Sequence, residues 1–303
     1  MGEFFAIATG VFYALNTMFA QRGMRNASPS TAMMIDMSVN LLIYIIYLLI
    51  TRSLIFTNLS LYGIFCSVCA GISGAWLGRT LILKAVQRIS SARAISLSLT
   101  QILFSFLLAR IILYEVISLI SMIGIILVAM SVFWLTQERS GTSVEHATTL
   151  DSSLIELKKY RLLGIILAVA AGLAFGASDL FRRIGVISVN SPVMVAALGG
   201  IATVILQAIV VTYQGTWHRI RHIDHVSLKN LLLSGVSGGL AIIFVTNALR
   251  YSPVVIVSSL TCIKAWFAIA FSPLLLGQSE KITLSLVSST LLIMIGTIII
   301  LLS

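Results

Sequence analysis

The amino-acid sequence predicts an all-α integral membrane protein with ten transmembrane helices, arranged as two five-helix repeats of opposite orientation. Composition is the first observation behind this prediction. Of the 303 residues, 58% are apolar and only 10% are charged, and the mean hydropathy is +1.05. Soluble domains carry about 25% charged residues, and a water-soluble chain of this length needs more polar surface. The composition therefore excludes a soluble enzyme, a nucleic-acid-binding protein and a disordered chain.

The apolar runs are the second observation, because each is long enough to cross the hydrocarbon core in about 20 helical residues. Glu3 and the absence of a basic leader segment favour a transmembrane helix over a signal peptide for the first run. The ten predicted spans are 3–21, 31–51, 61–82, 92–113, 116–136, 162–182, 193–213, 228–249, 254–276 and 282–302. Only the connections 137–161 and 214–227 are sizeable, so no soluble domain fits between spans.

The chain resembles itself at a spacing of 162–163 residues, which is the third observation. Ala8, Gly10, Phe19 and Gly23 match Ala170, Gly172, Phe181 and Gly185, and Ala85, Ser96, Leu97 and Phe104 match Ala248, Ser259, Leu260 and Phe267. We therefore expect a first repeat over 1–136, a linker over 137–161 and a second repeat over 162–303. Since five is odd, the halves must be inverted, which is typical of secondary transporters with a substrate site near the midplane.

The net charge of +10 reflects a low number of acidic residues, since the chain has 20 basic and only 10 acidic side chains. In membrane proteins an excess of Lys and Arg marks cytoplasmic loops. Fourteen of these residues, among them Arg79, Lys84 and Arg93, fall in odd-numbered loops and five in even-numbered loops. This count predicts that both termini lie outside the cytoplasm.

Two segments resemble the EamA-type carriers of the drug/metabolite transporter (DMT) superfamily. The first runs from Ala85 to Leu99 and closes at Leu113-Tyr114-Glu115, and the second runs from Ala248 to Glu280. The resemblance implies a central cavity lined by spans 1–4 and 6–9, with spans 5 and 10 peripheral and available for homodimer contacts. It also implies cytoplasmic termini, contrary to the charge count. Relatives commonly carry a proline near the middle of spans 4 and 9, where this chain has Gln101-Ile102 and Lys264-Ala265.

Lys264 lies near the centre of the ninth span, where a charge costs roughly 2.5–3.5 kcal/mol on insertion scales. Its predicted role is to contact an anionic group of the substrate. The alternatives are an ion pair with Asp36 or Asp179, or a neutral buried lysine. Gln101 is the repeat mate of Lys264 and is expected at similar depth. The resemblance supports this placement, since phosphate-translocating relatives hold the anion with basic residues on spans 4 and 9.

Further polar and aromatic side chains inside the spans complete the predicted substrate site. They are Tyr13, Asn16, Asn40, Trp76, Asn247 and Trp266. Asp36 and Asp179 are candidates for proton coupling, with a structural alternative for Asp179 in an ion pair with Arg182 or Arg183 one turn away. No carboxylate is expected at the centre of span 1 or near Lys264, where an exporter of lipophilic cations needs one.

No cofactor or metal site is predicted. His218, His222 and His225 have a spacing that could gather a metal on a helix, but they lie in a basic juxtamembrane loop. Contact with anionic lipid headgroups is the favoured interpretation of this loop.

The sequence thus predicts a non-enzymatic secondary carrier in the plasma (inner) membrane. Its partners would be the lipid bilayer and a small anionic or zwitterionic metabolite, such as an amino acid or a phosphorylated or carboxylated compound, moved by alternating access. The alternative is a flippase for a lipid or a lipid-linked headgroup. A receptor or membrane enzyme ranks lower, because no span carries a nucleophile–base pair.

Overall fold

The computed structural model describes residues 1–51, 60–112, 151–189, 191–276 and 284–301, with short pieces between 120 and 134. Every regular element in these ranges is helical. The helices are α1 (Gly2–Gly23), α2 (Pro29–Ile50), α3 (Leu61–Ile89), α4 (Ser91–Ile112), α5 (Asp151–Val189), α6 (Pro192–Tyr213), the short α7 (Trp217–Arg221), α8 (His225–Tyr251), α9 (Val254–Leu260, Thr261–Ile263 and Lys264–Leu276) and α10 (Leu284–Leu301).

Eight helices of the described chain are long and apolar enough to cross a membrane: α1 to α6, α8 and α9. They coincide with predicted spans 1–4 and 6–9. Predicted span 5 lies largely outside the described residues, and predicted span 10 is the helix α10. Helices α3 and α5 exceed their predicted spans most, because α3 continues to Ile89 and α5 runs from Asp151 to Val189, which includes residues 151–161 of the predicted linker.

Side chains at the helix starts explain where two spans begin. Ser28 precedes α2, and its Oγ accepts a hydrogen bond from the Thr31 amide at 3.2 Å, with Pro29 at the first helical position. Asp224 does the same for α8, where its Oδ2 accepts from the Ser227 amide at 3.0 Å. This hydrogen bond lowers the pKa of the Asp224 carboxyl. Both caps satisfy amides that the first turn leaves without partners.

The middle of α3 is π-helical over Gly71–Gly78, a geometry often found at functional sites. This segment lets two neighbouring helices approach closely. A Cβ added at Gly71 would lie 2.3 Å from the Gly199 carbonyl oxygen of α6, and one at Gly74 would lie 2.2 Å from Ser178 Oγ of α5. Only glycine fits at either position. The backbone of α3 therefore packs against the backbone of α6 at Gly71 and against the Ser178 side chain of α5 at Gly74.

Helices α4 and α9 are both irregular, at corresponding positions of the two halves. The regular bonding of α4 is interrupted at Leu99–Thr100, where Ile102 N donates to Leu99 O at 3.0 Å. In α9 a 3₁₀ turn occupies Thr261–Ile263. Each irregular turn directly precedes a predicted site residue, Gln101 in α4 and Lys264 in α9. Both helices are therefore distorted at positions that carry no proline.

The helices pack in reciprocal pairs. Helix α1 packs on α8 and α9, whereas α5 packs on α3 and α4. Helix α2 packs on α8, α6 packs on α3, and α2 and α6 pack on each other. Large apolar side chains such as Leu42, Ile46 and Leu49 are exposed on the outside, as expected for a surface that faces lipid.

Candidate functional site

A cavity lies between α1 to α5, α8 and α9. Seven of the ten predicted site residues line it: Tyr13, Asn16, Asp36, Asn40, Gln101, Asp179 and Lys264. Arg79, Arg182, Phe175 and Ser98 also line it. Side chains scattered over more than 250 positions of sequence therefore converge on one site.

Lys264 projects from the first turn after the irregular part of α9 and is 7% exposed. Its Nζ donates one hydrogen bond, to Gln101 Oε1 at 2.9 Å. The same Nζ lies 5.9 Å from the centroid of the Tyr13 ring and 5.5 Å from that of Phe175, a cation–π geometry. An ammonium has three donors, so Lys264 keeps donor capacity toward the cavity. Neither ion pair considered from the sequence, with Asp36 or with Asp179, is present.

Gln101 connects Lys264 to a buried ion pair. Its Nε2 donates to Asp179 Oδ2 at 2.6 Å, while Asp179 Oδ1 pairs with Arg182 Nη1 at 3.1 Å. Ser258 Oγ of α9 also donates to Asp179 Oδ2, at 2.9 Å. The structural alternative for Asp179, an ion pair with Arg182, is thus confirmed. A carboxylate does lie near Lys264, so the expectation that none would is wrong.

A second ion pair, between Asp36 and Arg79, also lines the cavity. Arg79 Nε lies 3.1 Å from Asp36 Oδ2, and the two side chains are 7% and 2% exposed. Asn16 Nδ2 and Ser234 Oγ donate to Asp36 Oδ1 at 3.0 and 2.7 Å. Arg79 further donates to Thr17 Oγ1 and Ser234 Oγ. Four helices, α1, α2, α3 and α8, are thereby joined through one carboxylate.

The sequence alone did not indicate the role of Arg79. We counted it with the odd-numbered loops, although residue 79 falls within the last turn of the predicted third span, 61–82. Helix α3 instead continues to Ile89, which places Arg79 inside the protein, at 6% exposure. The presence of Asp36 in an adjacent predicted span was the available signal, since a charge inside the membrane needs a partner.

Asn40 lies one turn after Asp36 on α2 and is 5% exposed. Its Oδ1 has no hydrogen-bond partner. The neighbouring residue of α8 is Gly238, which has no side chain to fill the space beside this oxygen. A buried acceptor without a partner costs about 1–3 kcal/mol. Asn40 therefore offers an acceptor to any donor that enters the cavity.

Three predicted substrate-binding residues lie away from the cavity. Trp76 Nε1 donates to Gln207 Oε1 of α6 at 3.2 Å, and Asn247 Nδ2 donates to the Ile243 carbonyl within α8 at 2.8 Å. Trp266 lines a separate groove between α1, α9 and α10. The direction of Trp266 away from Lys264 agrees with their spacing of two residues on one helix.

The ionisable groups of the cavity give it a positive balance. Two carboxylates (Asp36 and Asp179) face three cations (Arg79, Arg182 and Lys264), so the sum is +1 when all five are ionised. Both arginines are paired with carboxylates, which leaves Lys264 as the basic side chain of the lining that has no ion-pair partner.

The model of the EamA-like transporter family matches two segments, residues 1–137 and 162–302. The chain belongs to the EamA-like transporter family. With eight candidate spans among the described residues, this EamA-like protein is a multi-pass membrane protein, and the resemblance to the DMT superfamily is confirmed. The two matched segments lie within the two predicted repeats, apart from residue 137.

A solved crystal structure is similar over 98% of this chain and 96% of its own, with a TM-score of 0.69 and 14% sequence identity. At that identity the likeness shows a shared fold alone. No curated protein matches the EamA-like chain in sequence.

Proposed function

We propose that this EamA-like protein is a secondary active transporter of the plasma (inner) membrane that moves a small anionic or zwitterionic metabolite by alternating access. The proposed architecture is ten transmembrane helices in two inverted five-helix repeats around the cavity described above. The observation that carries the proposal is Lys264, a buried cation with donor capacity left over, at the centre of the helix bundle.

The reciprocal packing supports the inverted repeat. In an inverted repeat, α1 corresponds to α5, α2 to α6, α3 to α8 and α4 to α9. Exchange of the corresponding helices turns the contact of α1 with α8 into the contact of α5 with α3. In the same way α1 on α9 becomes α5 on α4, α2 on α8 becomes α6 on α3, and the pair α2–α6 maps onto itself. A two-fold exchange of this kind is expected for inverted repeats whose substrate site lies at their interface.

The contact between Lys264 and Gln101 supports the same symmetry. These residues are 163 positions apart, the repeat spacing, so each is the other's repeat mate. Residues that touch their own symmetry mates lie beside the symmetry axis. Lys264 is therefore next to the pseudo-two-fold axis, where a substrate stays in contact with both halves as they rock against each other.

The charges favour a substrate with an anionic group. An anion beside Lys264 would neutralise the +1 balance of the lining and use the free donors of Nζ. Both carboxylates already accept two or more hydrogen bonds, so a lipophilic cation would find no free counter-charge. In this proposal Asp36 and Asp179 remain candidates for proton coupling, since protonation of either would release an arginine toward the substrate.

A ligand panel tests the proposed substrate class. The purified protein is melted with amino acids, dicarboxylates and sugar phosphates, and with the lipophilic cation tetraphenylphosphonium as the opposite class. We expect at least one anion or zwitterion to raise the melting temperature in a saturable way, because a ligand that binds only the folded state stabilises it. Stabilisation by tetraphenylphosphonium alone would contradict the proposal, and stabilisation only by lipid headgroups would favour a flippase.

A further inference from the structure

The packing of the helices divides eight of them into two bundles of four. Helix α1 packs mainly on α8 and α9, and α2 packs on α8, so these four helices form the first bundle. Helix α5 packs mainly on α3 and α4, and α6 packs on α3, so these four form the second bundle. The bundles meet where α2 packs on α6 and where α9 packs on α4. Exchange of corresponding repeat helices converts one bundle into the other, so these are the bodies that would rock against each other.

Arg79 of α3 reaches from the second bundle into the first. Its Nε lies 3.1 Å from Asp36 Oδ2 of α2, and its Nη2 donates to Ser234 Oγ of α8 at 3.2 Å. Both partners belong to the first bundle. The ion pair of Asp179 with Arg182, in contrast, lies within the single helix α5. Relative movement of the bundles therefore strains the Arg79 pair and leaves the Arg182 pair intact.

The contacts of Arg79 lie to one side of the level of Lys264. On α1, Gly10 packs against Lys264, because a Cβ added at Gly10 would lie 3.1 Å from the Lys264 backbone nitrogen. Arg79 instead contacts the Asn16 carbonyl and the Thr17 hydroxyl. These two residues follow Gly10 by six and seven positions, which is about 9–10 Å further along the helix.

We call the membrane face at which α1 ends, at Gly23, the α1-end face. Helix α8 begins at this face, since a Cβ added at Gly23 would lie 3.2 Å from the Ser227 carbonyl oxygen. The short helix α7 directly precedes α8, so its exposed Arg219 is on the same face. Arg79 therefore joins the bundles between Lys264 and the α1-end face.

The Arg79–Asp36 pair has no counterpart at the repeat-related positions. At the repeat spacing of 163 residues, Asp36 corresponds to Gly199 and Arg79 to Ile242. Neither of these residues can form an ion pair. The repeat therefore provides this ionic contact on one side of the cavity and omits it at the equivalent place on the other.

Other contacts join the bundles toward the opposite face. Ser258 Oγ of α9 donates to Asp179 Oδ2 of α5 at 2.9 Å, and Arg183 Nη1 of α5 donates to the Leu249 carbonyl of α8. In each of these contacts only one partner carries a charge, so their separation breaks no pair of opposite charges.

We propose that Arg79 is a one-sided latch, whose contacts with Asp36 and Ser234 hold the two bundles together at the α1-end face. The resting cavity then opens in preference toward the opposite face. This role rests on the proposed alternating access, because the latch is the contact that must break before the cavity opens at the α1-end face. That step is costly, since separation of a buried ion pair gives up an attraction that is strong at low dielectric constant.

Side-specific labelling of the cavity in the full-length protein tests the latch without any ligand. Ser98, which lines the cavity, is replaced by cysteine in a protein whose three native cysteines are alanine. A membrane-impermeant thiol reagent is applied to sealed vesicles of either orientation, and Arg219→Cys identifies the vesicles that present the α1-end face. The measured quantity is the labelling rate of Ser98→Cys from the α1-end face divided by its rate from the opposite face.

We expect this ratio to rise at least about tenfold when Arg79→Met is combined with Asp36→Asn, the effect on an equilibrium of one hydrogen bond to a charged group. Arg79→Lys, which keeps the charge but has fewer donors, should give a smaller rise and serves as the second variant if the double variant does not fold. The matched control, Arg182→Met with Asp179→Asn, removes the same charges within one helix. It should leave the ratio unchanged or lower it, since Asp179 joins the bundles toward the opposite face.

Two results would overturn the latch alone. One is a measurable ratio that stays at the wild-type value in the Arg79 variants. The other is an equal rise in the Arg182→Met control, which would mean that loss of either ion pair loosens the whole protein. Labelling of Ser98→Cys from a single face in every variant, or from neither face, would overturn both the latch and alternating access. Failure of the proposed substrate class would appear in the ligand panel instead, because the labelling contains no ligand.

Discussion

Replacement of Arg79 by methionine is expected to lower the free energy of unfolding by about 3–5 kcal/mol, the cost of leaving a buried charge without its partner. Asp36 is 2% exposed, and only the neutral donors of Asn16 and Ser234 would remain within hydrogen-bond distance of it. Because this carboxylate joins four helices, the loss affects packing throughout the first half and α8. Denaturant or thermal unfolding of the purified protein measures the effect.

Two variants show whether the buried charge is the cause. The double variant Arg79→Met with Asp36→Asn removes both charges and should recover most of the lost stability, since a neutral pair of similar volume is often tolerated. Lys84→Met, an exposed position of the same helix, should change stability by about 0.5 kcal/mol or less. If Arg79→Met were as stable as Lys84→Met, the ion pair would have no part in holding these helices together.

Replacement of Lys264 by methionine should weaken binding of the anionic ligand about 10- to 100-fold and reduce its transport to a similar degree. A hydrogen bond to a charged group contributes about 1.5–3 kcal/mol, and each 1.4 kcal/mol is a factor of about ten in affinity. Methionine keeps the length and the apolar stem. Titration of the anion that stabilises the wild type, followed by its uptake into proteoliposomes, measures both effects.

The controls separate a binding role from a structural one. Lys264→Arg keeps the charge and should retain part of the affinity, whereas Lys229→Met, at an exposed position of α8, should match the wild type. In the absence of ligand, Lys264→Met should melt at or above the wild-type temperature, because a buried cation without an ion-pair partner is removed. If Lys264→Met bound the anion with wild-type affinity, Lys264 would have no role in binding the substrate.

The sequence allowed most of the helices to be predicted, because a membrane span needs a continuous apolar run and few other structures do. It could not set the ends of α3 and α5. Polar residues such as Arg88 and Lys158 extend these helices beyond the hydrocarbon, and composition cannot distinguish a helical extension from a loop. The π-helical segment of α3 could not be predicted either, because it depends on the approach of Gly199 and Ser178 from other helices.

The site was predictable wherever a charged or amide side chain fell inside a run, at mid-span for Lys264 and Gln101 and nearer a span end for Asp36 and Asp179. Arg79 was missed because its depth depends on where α3 ends. The pairs themselves, Asp36 with Arg79 and Gln101 with Lys264, join residues up to 163 positions apart, and a single sequence carries no signal for such contacts. Trp76 and Trp266 were expected at the substrate because aromatic size alone does not reveal which face of a helix is buried.

Accessibility of the cavity from both sides of the membrane is the most direct test of alternating access to a central site. The three cysteines, Cys66, Cys69 and Cys262, are replaced by alanine, and Ser98, which lines the cavity at 2% exposure, is replaced by cysteine. Membrane-impermeant thiol reagents are then applied to right-side-out and inside-out vesicles, with Leu42→Cys on the lipid-exposed surface as the control. We predict labelling of Ser98→Cys from each side and of Leu42→Cys from neither. Labelling of Ser98→Cys from one side only, with or without the stabilising ligand, would contradict a carrier that works by alternating access.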